Sequence, residues 1–176
     1  METRKRFIVT GMQGSGKTTF CQVLIHQAKK AGWRIGGVLS PPVFEGDEKV
    51  GIDIVDLSTN QRKRLAKLRE EGGEGPQTIR WTFNEDALTW GNAVLGSVSS
   101  CDLLIVDELG PLEFERAEGW LNGFSAVDTG EYKFAVIVVR PQLVEQALEK
   151  WPEARVVEIS HPDQASGLAE KTLLNN

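Results

Sequence analysis

The sequence predicts an α/β fold of three layers, in which a mainly parallel sheet with an added antiparallel hairpin lies between helices. Short apolar runs alternate with helix-length amphipathic segments, as where Phe7–Val9 precedes a helix expected from Lys17 to Ala31. The run Leu103–Val106 is apolar without interruption. Such a run is typical of a central parallel strand that is buried on both faces.

Composition limits the classes of protein that the chain can belong to. Its 176 residues, 40% apolar and 26% charged, predict that residues 1–176 form a single domain. With a net charge of −5, the chain shows no excess of the basic residues that bind nucleic acid, so no nucleic-acid partner is expected. We expect a cytoplasmic protein without a membrane partner, because no apolar run is long enough for a membrane span or a signal peptide. Cys21 and Cys101 lie in apolar-periodic segments, which favours reduced, buried cysteines.

A glycine-rich turn, GMQGSGKTT, joins the first strand to the first helix. It matches the phosphate-binding loop pattern G-x-x-x-x-G-K-[ST] in its expected setting. Glycines let the backbone curl closely around an anion, which the inward N–H groups and the helix dipole then bind. Lys17 is placed to reach the β- and γ-phosphates and to act in catalysis, and the Thr18 hydroxyl to bind Mg²⁺. The residues expected to hold ATP or another nucleoside triphosphate are Gly11, Gly14, Ser15, Gly16, Lys17, Thr18 and Thr19.

The middle of the chain predicts the antiparallel hairpin. Residues 34–40 favour a strand that Pro41–Pro42 ends, and Val43–Lys49 favours a turn. Val50–Leu57 alternates apolar and polar residues, as a half-exposed strand does, and Gln61–Leu68 is its expected partner.

Two further features lie in and just after the second strand of this hairpin. The first is a basic cluster, which consists of Arg62, Lys63, Arg64, Lys67 and Arg69. Its main interpretation is a solvated face of the protein, and the alternative is that one or two of its members contact the triphosphate. The second is the glycine-rich segment Glu70–Pro76, which is the candidate lid. Thr78–Phe83 then predicts a strand, and Asn84 predicts the cap of a helix.

Two adjacent acids, Asp107 and Glu108, end the apolar run. In open α/β sheets ligands bind beyond the carboxyl ends of the strands, so we expect both acids to lie beside the phosphate-binding loop. An apolar strand that ends in Asp is the Walker B pattern, whose Asp holds the Mg²⁺ shell. We expect Glu108 to orient and deprotonate the water that attacks the γ-phosphate.

The remaining elements complete the parallel sheet. A helix is expected over Glu115–Ala126 and a buried strand over Lys133–Val139. That strand ends at Arg140, a candidate cationic contact for charge developing on the phosphates, with a surface arginine as the alternative. A helix, a strand and a terminal helix are then expected over Gln142–Lys150, Arg155–Ile159 and the residues after Ser160.

Three segments together resemble a known family: GMQGSGKTTF, GGVLSPPVFEGDEKVGIDIVDL and LLIVDELGPLEF. The chain is similar, over residues 5 to 160, to the small P-loop nucleoside-triphosphatases that include the cancer-related nucleoside-triphosphatase. The resemblance implies a P-loop NTPase fold and Mg²⁺-dependent hydrolysis of ATP, GTP and other triphosphates to the diphosphate, with little base selectivity. It implies the same roles for the loop residues, Asp107 and Glu108, and it matches Glu113 to a family glutamate for which the sequence supplies no role.

The chain departs from the family pattern at three places. Phe44 stands where the family usually has an arginine, and Pro111–Leu112 stand where it has a lysine–methionine pair. Residues His161–Ala165 lack an Asn–Arg pair. These departures bear on the rate and the nucleotide preference and leave the metal–phosphate residues unchanged.

Two alternatives to a nucleoside-triphosphatase stay open. One is a kinase that transfers the γ-phosphate to a small acceptor, although only Lys150 and Arg155 are basic between Pro141 and Ile159, where nucleotide kinases usually have an arginine-rich lid. The other is a nucleotide-responsive binding module with little turnover that acts on a protein partner of unknown identity.

Overall fold

A computed structural model describes residues 4–70, 75 and 77–174 of the chain. The strands are β1 (Lys5–Thr10), β2 (Ile35–Leu39), β3 (Pro42–Glu45), β4 (Glu48–Asp56), β5 (Arg62–Leu68), β6 (Trp81–Phe83), β7 (Leu103–Leu109), β8 (Phe134–Val139) and β9 (Arg155–Glu158). The helices are α1 (Lys17–Lys30), α2 (Glu85–Gly96), α3 (Pro111–Arg116), α4 (Leu121–Thr129), α5 (Val144–Lys150) and α6 (Pro162–Leu174). A short 3₁₀ turn, Pro141–Leu143, precedes α5.

The strands in this part of the chain form one mixed sheet with the order β6-β5-β4-β2-β7-β8-β1-β9, and β3 pairs with β4. Strands β2, β7, β8, β1 and β9 are parallel neighbours in this order, whereas β3, β4, β5 and β6 form an antiparallel extension. Because β1, β8 and β7 are parallel neighbours, their carboxyl ends lie at the same edge of the sheet. The phosphate-binding loop, Arg140 and the two acids therefore meet at this edge.

The core lies on both faces of the sheet, as the three-layer prediction requires. Alternate residues of β8 point to opposite faces, so Val136 belongs to one apolar cluster and Ile137 to the other. Helices α1 and α6 cover the first face, where Phe20 and Leu24 are fully buried. Helices α2, α4 and α5 contribute buried residues to the second.

The antiparallel hairpin is confirmed as β4 and β5, but the turn predicted over Val43–Lys49 was wrong. The turn itself is Gly46–Asp47, and residues on either side extend it into the pair β3 and β4. Pro42 does not end the sheet structure. It is the first residue of β3, which pairs with β4 alone, and an edge position tolerates the missing N–H of proline.

Two further predictions need correction. The helix expected over Glu115–Ala126 is divided into α3 and α4, because Ala117 and Gly119 adopt φ values of 51° and 74° that a helix does not accept. The strand expected over Thr78–Phe83 is confined to β6, and the chain bends at Ile79–Arg80. The candidate lid, Glu70–Pro76, falls largely on residues 71–74 and 76, which lie outside the described residues.

Cys21 and Cys101 are both buried and free. Among the described residues, no helix has the length and apolar character that crossing a membrane requires.

Candidate active site

The phosphate-binding loop curls at its glycines. Gly14 and Gly16 have φ values of 77° and 104°, in the left-handed region that favours glycine. The Lys17 ammonium returns over the loop and donates hydrogen bonds to the carbonyl oxygens of Gly11 (2.7 Å) and Met12 (2.9 Å). Helix α1 begins at Lys17 without an acidic residue in its first turn, so its positive dipole end is not neutralised locally.

A bulge in β7 places the two acids. Val106 pairs with Ile137 and the next paired residue, Leu109, with Val139, so Asp107 and Glu108 together stand opposite a single residue of β8. Glu108 has φ of 66°, which is unusual for a residue with a side chain. Strained conformations of this kind occur preferentially at functional sites.

The bulge gives the two carboxylates different surroundings. Asp107 is 1% exposed, and its Oδ2 accepts a hydrogen bond from the Ser40 backbone N–H at 2.8 Å. Glu108 is exposed to solvent. The first acid is therefore held rigidly in the protein, and the second can reach a bound water or ligand.

Electrostatic interactions link four of the predicted residues, Lys17, Asp107, Glu108 and Arg140. Burial and the Glu108 carboxylate raise the pKa of Asp107 to about 7, against the opposing effects of Lys17 and the Ser40 hydrogen bond. Burial lowers the pKa of Lys17, while Glu108 and Asp107 raise it and Arg140 lowers it. The structure thus brings Lys17, Asp107, Glu108 and Arg140 together at the carboxyl edge of the sheet.

The residues present fit a magnesium ion. Asp107 and Thr18 offer the hard oxygen ligands that Mg²⁺ prefers, and Mg²⁺ at nucleotide sites usually takes one or two protein groups besides phosphates and water. A cation there would offset the burial of the Asp107 carboxylate and its repulsion by Glu108. The described residues contain no cluster of three or more His, Cys, Asp or Glu that could hold a metal ion.

Lys49 belongs to this site and was missed in the sequence. It lies on β4, burial lowers its pKa, and Glu108 is the largest opposing influence. The sequence placed Lys49 in a turn with no function. Its position depends on the pairing of β4 with β2, a long-range contact that leaves no local signal.

The predicted basic cluster lies on β5, apart from Arg69, which follows that strand. The Arg62 and Arg64 Nε atoms each donate to the Asp53 carboxylate at 2.6 Å. The Lys63 ammonium lies 5.0 Å from the centre of the Trp90 ring. These contacts favour the interpretation of a partly solvated face over contact with a triphosphate.

Glu113 has a structural role that its sequence pattern did not reveal. Its side chain is buried, with Oε2 accepting from the Gly110 N–H (2.8 Å) and Oε1 from the Trp120 N–H (2.9 Å). Burial raises its pKa. The carboxylate therefore fixes both ends of the segment 110–120, which follows the two acids directly in the chain.

Two of the three departures from the family pattern lie near the site. Pro111 and Leu112 begin α3 beside Glu108. Pro162, the first residue of α6, lies close to Gly16 of the loop. Phe44 is 55% exposed on β3 and takes no part in the arrangement of Lys17, Asp107 and Glu108.

The chain is similar to characterised sequences over most of its length. A protein-family model described as NTPase matches residues 6–164. The nucleoside-triphosphatase THEP1 of Methanocaldococcus jannaschii is 28% identical, and the alignment covers 82% of this chain and 96% of that protein. Its Methanosarcina barkeri counterpart is 31% identical over 69% of both chains. With the Methanopyrus kandleri counterpart, 34% identical, the alignment covers 61% of this chain and only 59% of the relative's own length.

Two solved structures share the fold. The solution structure of a human cancer-related nucleoside triphosphatase has a TM-score of 0.73 at 17% identity, covering 98% of this chain and 97% of that one. The crystal structure of THEP1 from Aquifex aeolicus has a TM-score of 0.67 at 17% identity, covering 97% and 99%. These likenesses confirm the predicted fold class of a mainly parallel sheet between helices.

Proposed function

Because the chain belongs to the NTPase family, we propose that it hydrolyses nucleoside triphosphates to the diphosphate and phosphate in a Mg²⁺-dependent reaction. The observation that carries the proposal is the meeting of Lys17, Asp107 and Glu108 at one edge of the sheet. ATP, GTP and other triphosphates are the proposed substrates, because each residue assigned a role is assigned to phosphate, metal or water and none to the base.

In the proposed reaction the loop binds the triphosphate first. The Lys17 ammonium exchanges its bonds to the Gly11 and Met12 carbonyls for contacts with the β- and γ-phosphates. The N–H groups of residues 14–19 and the start of α1 bind the remaining phosphate oxygens. Thr18 and Asp107 would hold Mg²⁺, which supplies charge neutralisation at the β- and γ-phosphate oxygens.

Glu108 then acts on the attacking water. Its carboxylate accepts a proton as the water oxygen bonds to the γ-phosphorus, and the bond from that phosphorus to the β–γ bridging oxygen breaks. The nucleoside diphosphate leaves with the bonding electrons. Lys49 and Arg140 stabilise charge on the transferring group, a role favoured by the electrostatic effect of both on Lys17 and by the interaction of Lys49 with Glu108.

Steady-state phosphate release from ATP, GTP, CTP and UTP tests the proposal. We expect turnover of all four with Mg²⁺, loss of turnover in excess EDTA, and loss in a folded Lys17→Ala variant. Equal phosphate release by the wild-type protein and that variant would contradict the proposal. Tight nucleotide binding with negligible release would favour the binding-module alternative instead.

A further inference from the structure

A cavity of about 410 Å³ opens beside the phosphate-binding loop. On the side of the loop, the cavity is lined by Gly11, Met12, Gln13 and Lys17. The residues expected to cradle the phosphates from Gly14 to Gly16, and Thr18 and Thr19, are not among those that line it. Gly11 and Lys17, which are also expected to hold the triphosphate, do line it, so the cavity adjoins the phosphate cradle at these two residues and lies mostly beside it.

The cavity extends away from the loop towards the antiparallel extension of the sheet. Ile52 of β4, Leu65 of β5 and Phe83 of β6 line it, as does Leu88 of α2. Strand β4 is the fourth neighbour from β1, so this wall stands roughly 19 Å from the strand that carries the loop, at about 4.8 Å per strand. A water molecule occupies about 30 Å³, so the space far exceeds what an attacking water needs.

The walls combine apolar surface with a flat aromatic ring. Ile52 and Leu65 are each 3% exposed, and Trp81 is 6% exposed. The Lys49 ammonium lies 5.2 Å and the Arg80 guanidinium 5.1 Å from the centre of the Trp81 ring. Because the Trp81 ring is almost fully buried beneath these two cations, the positive charges rather than the ring face are presented to a negatively charged occupant.

The charge of the lining is opposite to that of the whole chain. The chain carries a net charge of −5, yet the described residues that line the cavity include five basic and two acidic side chains. Arg80 and Arg140 repel the half-buried Lys49 and lower its pKa further than burial alone does. A negatively charged occupant would relieve this repulsion.

The expected direction of the phosphate chain places the cavity beyond the γ-phosphate, at the end opposite the nucleoside. With the proposed nucleotide site taken as given, Lys17 reaches the β- and γ-phosphates while the loop amides hold the α- and β-phosphates. The cavity is lined by Lys17 and Glu108, so it begins at the γ-phosphate, and the nucleoside points away from it. A second molecule could then occupy the cavity without displacing the nucleotide.

We propose that this cavity binds a second small molecule, a planar organic anion, while a nucleotide occupies the phosphate-binding loop. Its apolar ring packs on the partly exposed Phe83 and Leu88, and its anionic group faces Lys49 and Arg80. Glu108 lies between this ligand and the γ-phosphate, so the occupant stands next to the reacting group.

Fluorescence titration with 1-anilinonaphthalene-8-sulfonate, an organic anion with a planar naphthalene ring, tests the proposal on the full chain. We expect saturable binding to one site, and a change in affinity of less than about threefold when Mg²⁺ and saturating ADP are present. Leu88→Trp fills the cavity from α2 and should weaken binding by at least about tenfold. Arg80→Met should weaken it by about threefold or more, whereas Arg155→Met on β9, at the opposite edge of the sheet, should leave it unchanged.

Circular dichroism establishes that each variant is folded, and Leu65→Phe replaces Leu88→Trp if the larger insertion prevents folding. The proposal is overturned if the dye does not saturate, if the filling variant binds it as the wild-type protein does, or if ADP competes for it. The titration without nucleotide does not depend on the proposed hydrolysis. A protein that binds the dye but not ADP would therefore contradict the proposed function and leave the cavity site standing.

Discussion

At the scale of single residues, Glu108 is the side chain on which the proposed chemistry depends most. Its carboxylate is exposed beside the buried Asp107, and hydrolysis needs a group that accepts a proton from water. Glutamine keeps the size and polarity of the side chain but cannot accept that proton at neutral pH.

We therefore predict that Glu108→Gln lowers kcat by about 10²–10⁴-fold and leaves nucleotide affinity within about threefold of the wild-type value. Single-turnover phosphate release and equilibrium nucleotide binding measure the two quantities. Glu115→Gln, an exposed glutamate of α3, is the matched control and should retain full activity. Hydrolysis by Glu108→Gln at the wild-type rate would show that another group activates the water.

Asp107 should make the metal-free protein less stable as the pH rises. Its pKa is about 7 in the folded protein against an ordinary value of 3.8, so between these values the folded state binds more protons than the unfolded state. The free energy of unfolding then falls as the pH rises through this window. Asparagine carries no charge and keeps an oxygen that can accept from the Ser40 N–H.

We predict that Asp107→Asn stabilises the metal-free protein at pH 8, by on the order of 2 kcal/mol, and that this gain shrinks as the pH falls towards 4. Urea unfolding in EDTA at several pH values measures the difference, and the same variant should lose its Mg²⁺-dependent turnover. Wild-type and variant stabilities that change in parallel with pH would contradict the assignment.

At the scale of elements, the segment that joins β7 to α4 depends on one buried carboxylate. Glu113 accepts the N–H groups of Gly110 and Trp120, and both donors lack another acceptor at these distances among the described residues. Removing the acceptor leaves two donors to be satisfied in a largely buried place, which is costly.

We predict that Glu113→Ala lowers the free energy of unfolding by about 2 kcal/mol and that Glu113→Gln lowers it by about half as much, because the amide retains one acceptor oxygen. Urea denaturation measures both. Glu118→Ala, at an exposed glutamate of the same segment, should be neutral. Equal stability of Glu113→Ala and Glu118→Ala would mean that the observed hydrogen bonds contribute little.

The elements that the sequence predicted best are those with local signals. The loop of Gly11 to Thr19 and the run ending at Asp107 each carry their pattern within a few residues, and both lie where they were expected. The division of α3 from α4 could not be predicted, because nothing in the local pattern shows that Ala117 adopts φ of 51°. Strand β3 was missed because Pro41–Pro42 resembles a stop, whereas its edge position in the sheet makes the proline acceptable.

The site shows the same division between local and long-range information. Lys17 and Glu108 could be identified from the residues next to them, but Lys49 could not. Its place beside Glu108 follows from the antiparallel pairing of β4 with β2, which two distant segments determine together. The cavity is likewise built from β4, β5, β6 and α2, so its existence depends on the whole sheet.

At the scale of the whole molecule, ligand binding should raise the free energy of unfolding and the Tm of the protein. If a nucleotide is held by the loop and by Mg²⁺ as proposed, it binds the folded chain alone, because the curled backbone does not exist in the unfolded state. At a concentration of about 100 times its Kd, such a ligand adds about 2.7 kcal/mol to the free energy of unfolding.

We predict that AMP-PNP with Mg²⁺ raises Tm by about 5–10 °C under these conditions. Excess EDTA should remove most of the increase, and Lys17→Ala should remove it as well. Differential scanning fluorimetry measures Tm, with AMP in place of AMP-PNP as the control. A Tm that does not respond to AMP-PNP in the wild-type protein would contradict binding at the loop.

The bulge in β7 has a consequence for how this chain could drift over evolutionary time. Glycine at position 108 would adopt the left-handed backbone conformation without the steric strain that a side chain causes, but it would also remove the carboxylate. A descendant released from selection for the proposed hydrolysis should therefore gain stability by mutation at this position. Glycine or asparagine directly after the aspartate would then mark a pseudoenzyme, one that keeps the glycine-rich turn while losing its turnover.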